Sequence, residues 1–453
     1  MSLITSKNNQ QASAISIADS SDNLTAQLLG SDGKLQAEGL RQLCLDAGAD
    51  DVGFVRLDNP RLADQREDIL TAFPNTHSLI SIVRRLNRTN IRSPHRSVAN
   101  VEFHHTGDDI EASARMVARK LESIGIEAAY PAMGFPMEMD RYPGKIWSIS
   151  HKPVAEAAGL GVIGLHRNVI HPKFGNFILL GTVVVDREIS GYGAPLAESP
   201  CMECKLCVAA CPVGAIGPDG HFDFGACMTH NYREFMGGFS TLMEDVAESR
   251  NFKQLRKRQS DAEMSSWWQS LSFGANYKAA YCLAACPAGS DVIGPYLKNK
   301  GDFRRAIVKP LTDKSEKVYV ISGSDAEDHV KKRFPSKTTT HVGTPLRPTS
   351  IDGLLSALPL VFNRHKANGL SAIYHFRFHG SEARDATIRI HDKTIHVNDG
   401  LEGKADLTVR ADSDTWIAFL RKERSILPAI LTGRVRVKGP LRLLNAFAGC
   451  FPS

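Results

Sequence analysis

The chain has 453 residues, 42% hydrophobic and 23% charged, an ordinary globular composition with room for about two to four domains. Its net charge of +6 and pI of 8.8 are a modest basic surplus. No block of lysine and arginine would trap nucleic acid, and no stretch approaches the ~20 apolar residues of a membrane span, so neither a nucleic-acid partner nor a membrane span is expected. Residues 1–30 are rich in Ser, Asn, Gln and Ala and read as a disordered segment. They hold no twin arginine and no apolar signal core, so a cytoplasmic location with reduced thiols is expected.

The predicted elements alternate from there. Leu35, Leu40, Leu43, Cys44 and Ala47 recur at helical spacing after Ser31-Asp32, a candidate N-cap. Residues 51–57 read as a strand and 78–83 (SLISIV) as a buried one. Ile110, Ala114, Val117, Leu121 and Ile124 form the stripe of a helix that starts near Asp108-Asp109. A strand near 127–130 and a strongly apolar one over 177–185 complete an α/β or α+β layer domain over 31–195. Residues 240–270 read as one long polar helix. Its Trp267-Trp268 pair points to core or interface packing, or else to stacking on a flat cofactor. Residues 301–345 read as a connector with a strand at 318–322 and a short helix at 325–333. From 346 to 453, alternating Tyr374, Phe376 and Phe378, a hairpin turn at Asp392-Lys393 and two later helices predict a small α+β domain.

Seven of the nine cysteines carry the chemistry of the segment 196–300. They run Cys201-x2-Cys204-x2-Cys207-x3-Cys211-Pro212, then Cys227, then Cys282-x3-Cys286-Pro287. The spacing C-x2-C-x2-C-x3-C-P resembles the bacterial ferredoxin run, in which three thiolates wrap one cluster and the fourth serves a second. Disulfides do not suit a reducing compartment, and zinc would want two C-x2-C pairs. Two iron–sulfur clusters, 4Fe–4S by type, are therefore expected, with Cys201, Cys204, Cys207, Cys211, Cys227, Cys282 and Cys286 as ligands.

Before that run stands His151-Lys152-Pro153-Val154-Ala155-Glu156-Ala157-Ala158-Gly159-Leu160-Gly161-Val162-Ile163-Gly164, then Pro172-Lys173-Phe174-Gly175 and an apolar strand ending at Asp186. This order resembles the corrinoid-dependent reductases, namely epoxyqueuosine reductase and the reductive dehalogenases, over about residues 35–295. The resemblance implies a nitroreductase-like α/β core with a ferredoxin-like double-cluster insert. It also implies cobalamin near Gly159, Gly161, Gly164 and Gly175, where the backbone approaches a flat ring without side chains. The glycine run by itself would be no more than a tight loop. The resemblance further places Cys201, Cys204, Cys207 and Cys286 on one cluster and Cys211, Cys227 and Cys282 on the other. Two positions depart from it. Ala279 stands where a thiolate is expected, which leaves a three-iron cluster, a substitute ligand from His230 or Asn231, or recruitment of Cys44 or Cys450. Ser150 stands where epoxyqueuosine reductase has an Asp proton donor, and a hydroxyl is too weak an acid to replace it. Tyr142, His151 and Asp140 are the leading substitutes, with Lys152, His104, His105 and Asp108 behind them. Each also has a plain reading as a surface charge or a satisfied histidine.

The last segment resembles a sterol-carrier-protein domain, through Thr344-Pro345-Leu346-Arg347-Pro348, Leu358-Pro359-Leu360-Val361-Phe362-Asn363 and Thr432-Gly433-Arg434-Val435-Arg436-Val437-Lys438-Gly439. That family's tunnel holds apolar ligands. The expected whole is an oxidoreductase fed by a ferredoxin or flavodoxin-type donor, removing halogen or oxygen from a hydrophobic small molecule or lipid. The other readings are an electron-transfer and lipid-binding module without corrinoid that serves a partner enzyme, and a lipid carrier whose clusters are structural or redox-sensing.

Overall fold

The computed structural model describes residues 24–141, 147–344, 347–421 and 423–451. Its first unit is a four-stranded sheet in the order Asp51–Arg56, Ser78–Arg85, Ile178–Val185, Ala128–Ala129, antiparallel throughout. The two long strands read as continuous apolar runs because both faces are covered. On one face Ile80, Ile82, Val183 and Val185 meet Ile110, Ala114, Val117 and Leu121 of the helix Arg96–Glu122. On the other, Leu79, Val83 and Val184 meet Val154, Ala155 and Ala157 of the helix His151–Ala157.

That long helix starts twelve residues before the predicted Asp108. Its apolar stripe continues backwards through Phe103 and Ala99, but Asn100, Thr106 and Gly107 also sit buried on it and break the apolar pattern. The first predicted helix is Ala37–Asp46, with Gln36 rather than Ser31-Asp32 at its N-cap. Asp32 instead accepts the Lys34 N–H in a turn (3.2 Å). The single long helix expected over 240–270 is three: Gly238–Glu248, Phe252–Arg258 and Asp261–Phe273. Asn251 and Ser260 start the second and third by capping Gln254 and Glu263, the latter as a reciprocal capping box. Trp267 is buried under the Arg233 guanidinium (5.7 Å), and Trp268 packs edge-on against Phe273 at the surface.

Residues 317–341 are more than a connector. Lys317–Val320 pairs in parallel with Thr338–His341, and Val318, Val320, Ala326 and Val330 share a core with Cys207, Cys211, Val213 and Ile216. The last unit is a five-stranded sheet in the order Thr394–Asp399, Arg384–His391, Ala372–His379, Leu407–Asp412, Val435–Lys438. Asp392 and Lys393 both take positive φ, the two-residue turn that matches strand twist. The chain is thus a multidomain α/β and α+β protein, and no helix among the described residues is long and apolar enough to cross a membrane.

Candidate iron–sulfur and reductase site

Two short helices, Leu206–Ala210 and Tyr281–Ala285, present the cysteines. Their sequences, Leu-Cys-Val-Ala-Ala-Cys-Pro and Tyr-Cys-Leu-Ala-Ala-Cys-Pro, repeat one pattern. Each helix is entered through a residue in the left-handed region, Lys205 (φ 60°) and Ala280 (φ 51°). A conformation unfavourable for a side-chain-bearing residue, held twice at equivalent places, marks a loop shaped for its ligands. The small Ala210, Ala284 and Ala285 let the helices pack closely in one core with Leu206 and Tyr281.

Two clamps fix this pair on the reductase-like core. Asn100, buried in the long helix, donates to the Tyr277 carbonyl (3.0 Å) and accepts the Tyr277 N–H (2.9 Å). At the other end Ser290 and Asp291 donate to the Pro172 and Lys173 carbonyls (2.8 and 3.0 Å).

Cys201, Cys204, Cys207 and Cys286 line one cavity, together with Ile170, His166 and Ala288. Burial first, then the neighbouring thiols, push Cys207 up to about 12; burial likewise lifts Cys286 to about 12. Four thiols around a void suit a cluster, whose iron atoms displace those protons on binding. Among the described residues no three His, Cys, Asp or Glu side chains converge on one point as a single metal ion needs.

Cys211, Cys227 and Cys282 form the second group, each within electrostatic reach of another. Burial raises Cys227 well above the ordinary thiol range and Cys282 to about 12. Yet both keep part of their surface exposed. The fourth place stays without a thiol. Cys44 is sealed in the core between the long helix and the sheet, and Cys450 in the core of the last domain. Asn231 Oδ1 is occupied by the Ala279 and Ala280 N–H groups (3.1 and 2.8 Å). His230 Nδ1 accepts the Tyr319 N–H (3.3 Å), which leaves its buried Nε2 without a hydrogen-bond partner. The group that does face Cys227 and Cys282 is the Lys152 ammonium, which donates to Asn168 Oδ1 (3.0 Å). Spacing gave no sign of it, because Lys152 lies far away in sequence.

The predicted catalytic residues are not gathered. His151 is buried with both ring nitrogens engaged, Nδ1 with Thr182 Oγ1 (2.8 Å) and Nε2 with the Ala132 carbonyl (3.0 Å). Burial lowers its pKa. Asp140 is exposed on the short turn Met139–Arg141, and Tyr142 lies outside the described residues. His105 and Asp108 are exposed on the long helix, while His104 packs against Gly274 with its Nε2 unpartnered. Ser150 is held by its backbone, its N–H on Gln65 Oε1 (2.7 Å). Sequence reasoning missed the aromatic set beside the second cysteine group: Tyr277 stacks near Tyr232 (5.3 Å) and Phe235 (4.6 Å), and Phe235 on Phe135 (4.6 Å).

The glycines have a reason of their own. A Cβ at 159 would run into the Ala194 carbonyl, at 161 into that of Ile170, and at 175 into that of Ala288, while at 164 it would meet the Ile170 side chain. Their bare backbones are required by the chain's own packing.

An α/β core clamping two cysteine helices is followed by a separate α+β sheet domain. Residues 360–452 match the SCP-2 sterol transfer family. The preceding part is similar to epoxyqueuosine reductases. It is 33% identical to that of Synechococcus sp. (strain CC9605) over 116 residues, 25% of this chain and 34% of the relative. It is 24% identical to that of Francisella cf. novicida (strain Fx1) over 188 residues, 39% and 50% of the two chains. An epoxyqueuosine reductase solved with a tRNA-Tyr epoxyqueuosine-modified stem loop is 17% identical, with a TM-score of 0.35 over 71% of this chain and 80% of that one. The chain therefore joins a region resembling epoxyqueuosine reductases to an SCP-2-type domain, and spans about a third to a half of the length of these curated relatives.

Proposed function

We propose that the chain is a cytoplasmic iron–sulfur reductase acting on a hydrophobic substrate, built as a nitroreductase-like core (31–195), a ferredoxin-like double-cluster insert (196–300), a linking unit (301–345) and a lipid-binding domain (346–453). The observation that carries the reading is the four-cysteine cavity with a second three-cysteine group beside it. Cys207 and Cys282 interact across the two groups, so electrons have a short path from one to the other. We assign Cys201, Cys204, Cys207 and Cys286 to a 4Fe–4S cluster and Cys211, Cys227 and Cys282 to a 3Fe–4S cluster. Bound clusters would supply one-electron storage; the residues' part is to exclude water, hold the thiolates and balance charge through Lys152.

Electron entry fits the first site. A cleft of ≈ 1080 Å³ lined by Arg304, Arg305, Lys309 and Arg333 reaches Ala209, which lies between Cys207 and Cys211. Asp313 is the acid in that lining. Such a surface attracts an acidic ferredoxin or flavodoxin-type donor. Cluster reduction by that donor should slow as salt rises, and slow further in Arg304→Glu.

A corrinoid, and reductive removal of halogen or oxygen through it, rests on the likeness to epoxyqueuosine reductases alone, because the glycines do not carry it. The second reading, an electron-transfer and lipid-binding module without corrinoid, is favoured by the engagement of His151 and by Ser150 in the proton donor's place. Cobalt near stoichiometry after anaerobic purification with cobalamin supports the reductase. Iron without cobalt supports the module. Tight binding of a tRNA stem loop would overturn the hydrophobic substrate in favour of the relatives' nucleic-acid one.

A further inference from the structure

The lining of the first cysteine cavity includes a buried donor with no use inside the fold. Besides the four cysteines, the polar side chains that line it are Glu203, Lys205 and His166. Glu203 and Lys205 are exposed, whereas His166 is 4% exposed. His166 stands in the turn between the paired segments Val162–Ile163 and Val169–Ile170. Two backbone bonds close that turn, from the Gly164 N–H to the Asn168 carbonyl (3.0 Å) and from the Arg167 N–H to the Gly164 carbonyl (2.8 Å). Arg167 takes the left-handed region (φ 61°), so the turn is held in a conformation that its neighbours must stabilise. Gly164 leaves room for the imidazole, since a Cβ there would lie 3.3 Å from His166 Cε1.

The backbone settles which ring nitrogen carries the proton. His166 Nδ1 accepts the Asn168 N–H (3.2 Å), so the neutral ring has its hydrogen on Nε2. Nε2 is buried and has no hydrogen-bond partner among the described residues. An unpaired buried donor is costly, and native folds leave few of them, as at redox sites and where an ion binds. Asn168 is a shared support. Its N–H fixes this tautomer, while its Oδ1 accepts the Lys152 ammonium (3.0 Å) that faces Cys227 and Cys282.

We propose that His166 Nε2–H donates to a sulfur of the cluster held by Cys201, Cys204, Cys207 and Cys286, and so keeps its reduction potential up. The inference rests on the cluster assignment proposed above. Hydrogen bonds to cluster sulfurs favour the more negative, reduced state and are among the levers that set such potentials. The same turn would then serve both sites, through a neutral donor at the first and through the Lys152 cation at the second.

The test is redox titration of the anaerobically reconstituted intact chain, followed by electron paramagnetic resonance, with iron counted in every sample. His166→Phe keeps a flat ring and removes the donor, while His166→Gln keeps an N–H. The first variant should hold the parent's iron, with the midpoint of the four-iron cluster moved negative and that of the second cluster unchanged. The second variant should return the midpoint toward the parent value. In the parent carrying isotope-labelled histidine, pulsed resonance of the reduced four-iron cluster should show a histidine nitrogen coupling that His166→Phe abolishes. Absence of that coupling in a parent that carries the cluster overturns the inference, whether or not the variant folds. So does an unmoved midpoint in His166→Phe with full iron, and either result leaves the cluster assignment standing. A parent that takes up no four-iron cluster overturns the assignment and this inference together.

Discussion

The two cysteine sites share a scaffold and differ in how many thiols they bring together. Both are built from a left-handed entry, a five-residue helix and a Cys-Pro exit, and the helices Leu206–Ala210 and Tyr281–Ala285 pack in one core. The first site closes four thiols around a cavity; the second offers three, with Lys152 facing two of them. The position that distinguishes the sites is the third residue before each helix's first cysteine, Cys204 in one copy and Ala279 in the other. Helix geometry here does not depend on ligand count, because alanine packing and backbone clamps to Asn100 and Asn231 hold the second copy in place.

The largest effect should come from deleting one ligand of each site. Cys286→Ser leaves the first site with three thiolates, the number the second site has, and should cost about one iron, whereas Cys282→Ser leaves the second with two and should cost its whole cluster of about three. Iron and sulfide analysis after anaerobic reconstitution reads both, and equal losses would erase the distinction. Next, Ala279→Cys should complete the second site and add about one iron, turning the three-iron paramagnetic signal of the oxidised chain silent. Asn100→Leu strands the Tyr277 N–H and carbonyl inside the fold and should cost about 1–3 kcal/mol, read as a lower Tm of the metal-free chain. The smallest effect belongs to Lys152→Met. Loss of a buried cation beside Cys227 and Cys282 should make the second cluster harder to reduce, so its midpoint potential moves negative while that of the first holds.

Much of the framework was legible because it rests on local patterns. The runs SLISIV and FILLGTVVV are mostly apolar, and the structure makes them the two central strands Ser78–Arg85 and Ile178–Val185. The cysteines were legible as a group because they recur at a fixed spacing, and the structure brings Cys201, Cys204, Cys207 and Cys286 to one cavity. What failed was non-local. The long helix Arg96–Glu122 buries Asn100 and Thr106, polar residues that a periodicity search counts against burial, yet Asn100 is buried in order to clamp Tyr277. His151 looked available for proton transfer until Thr182 and the Ala132 carbonyl, both far off in sequence, were found to take its two nitrogens. The glycines at 159, 161 and 175 abut carbonyls of Ala194, Ile170 and Ala288, neighbours that spacing does not announce. Spacing identifies what must be bound covalently to one point; it is silent about partners brought in from elsewhere in the chain.

The difference between the two sites is tested most directly by electron paramagnetic resonance of the anaerobically reconstituted chain, oxidised and then reduced, alongside its iron content. The account predicts a three-iron signal in the oxidised protein, a separate four-iron signal on reduction, and about seven irons per chain. An oxidised protein without any three-iron signal, carrying two four-iron clusters and about eight irons, would contradict it.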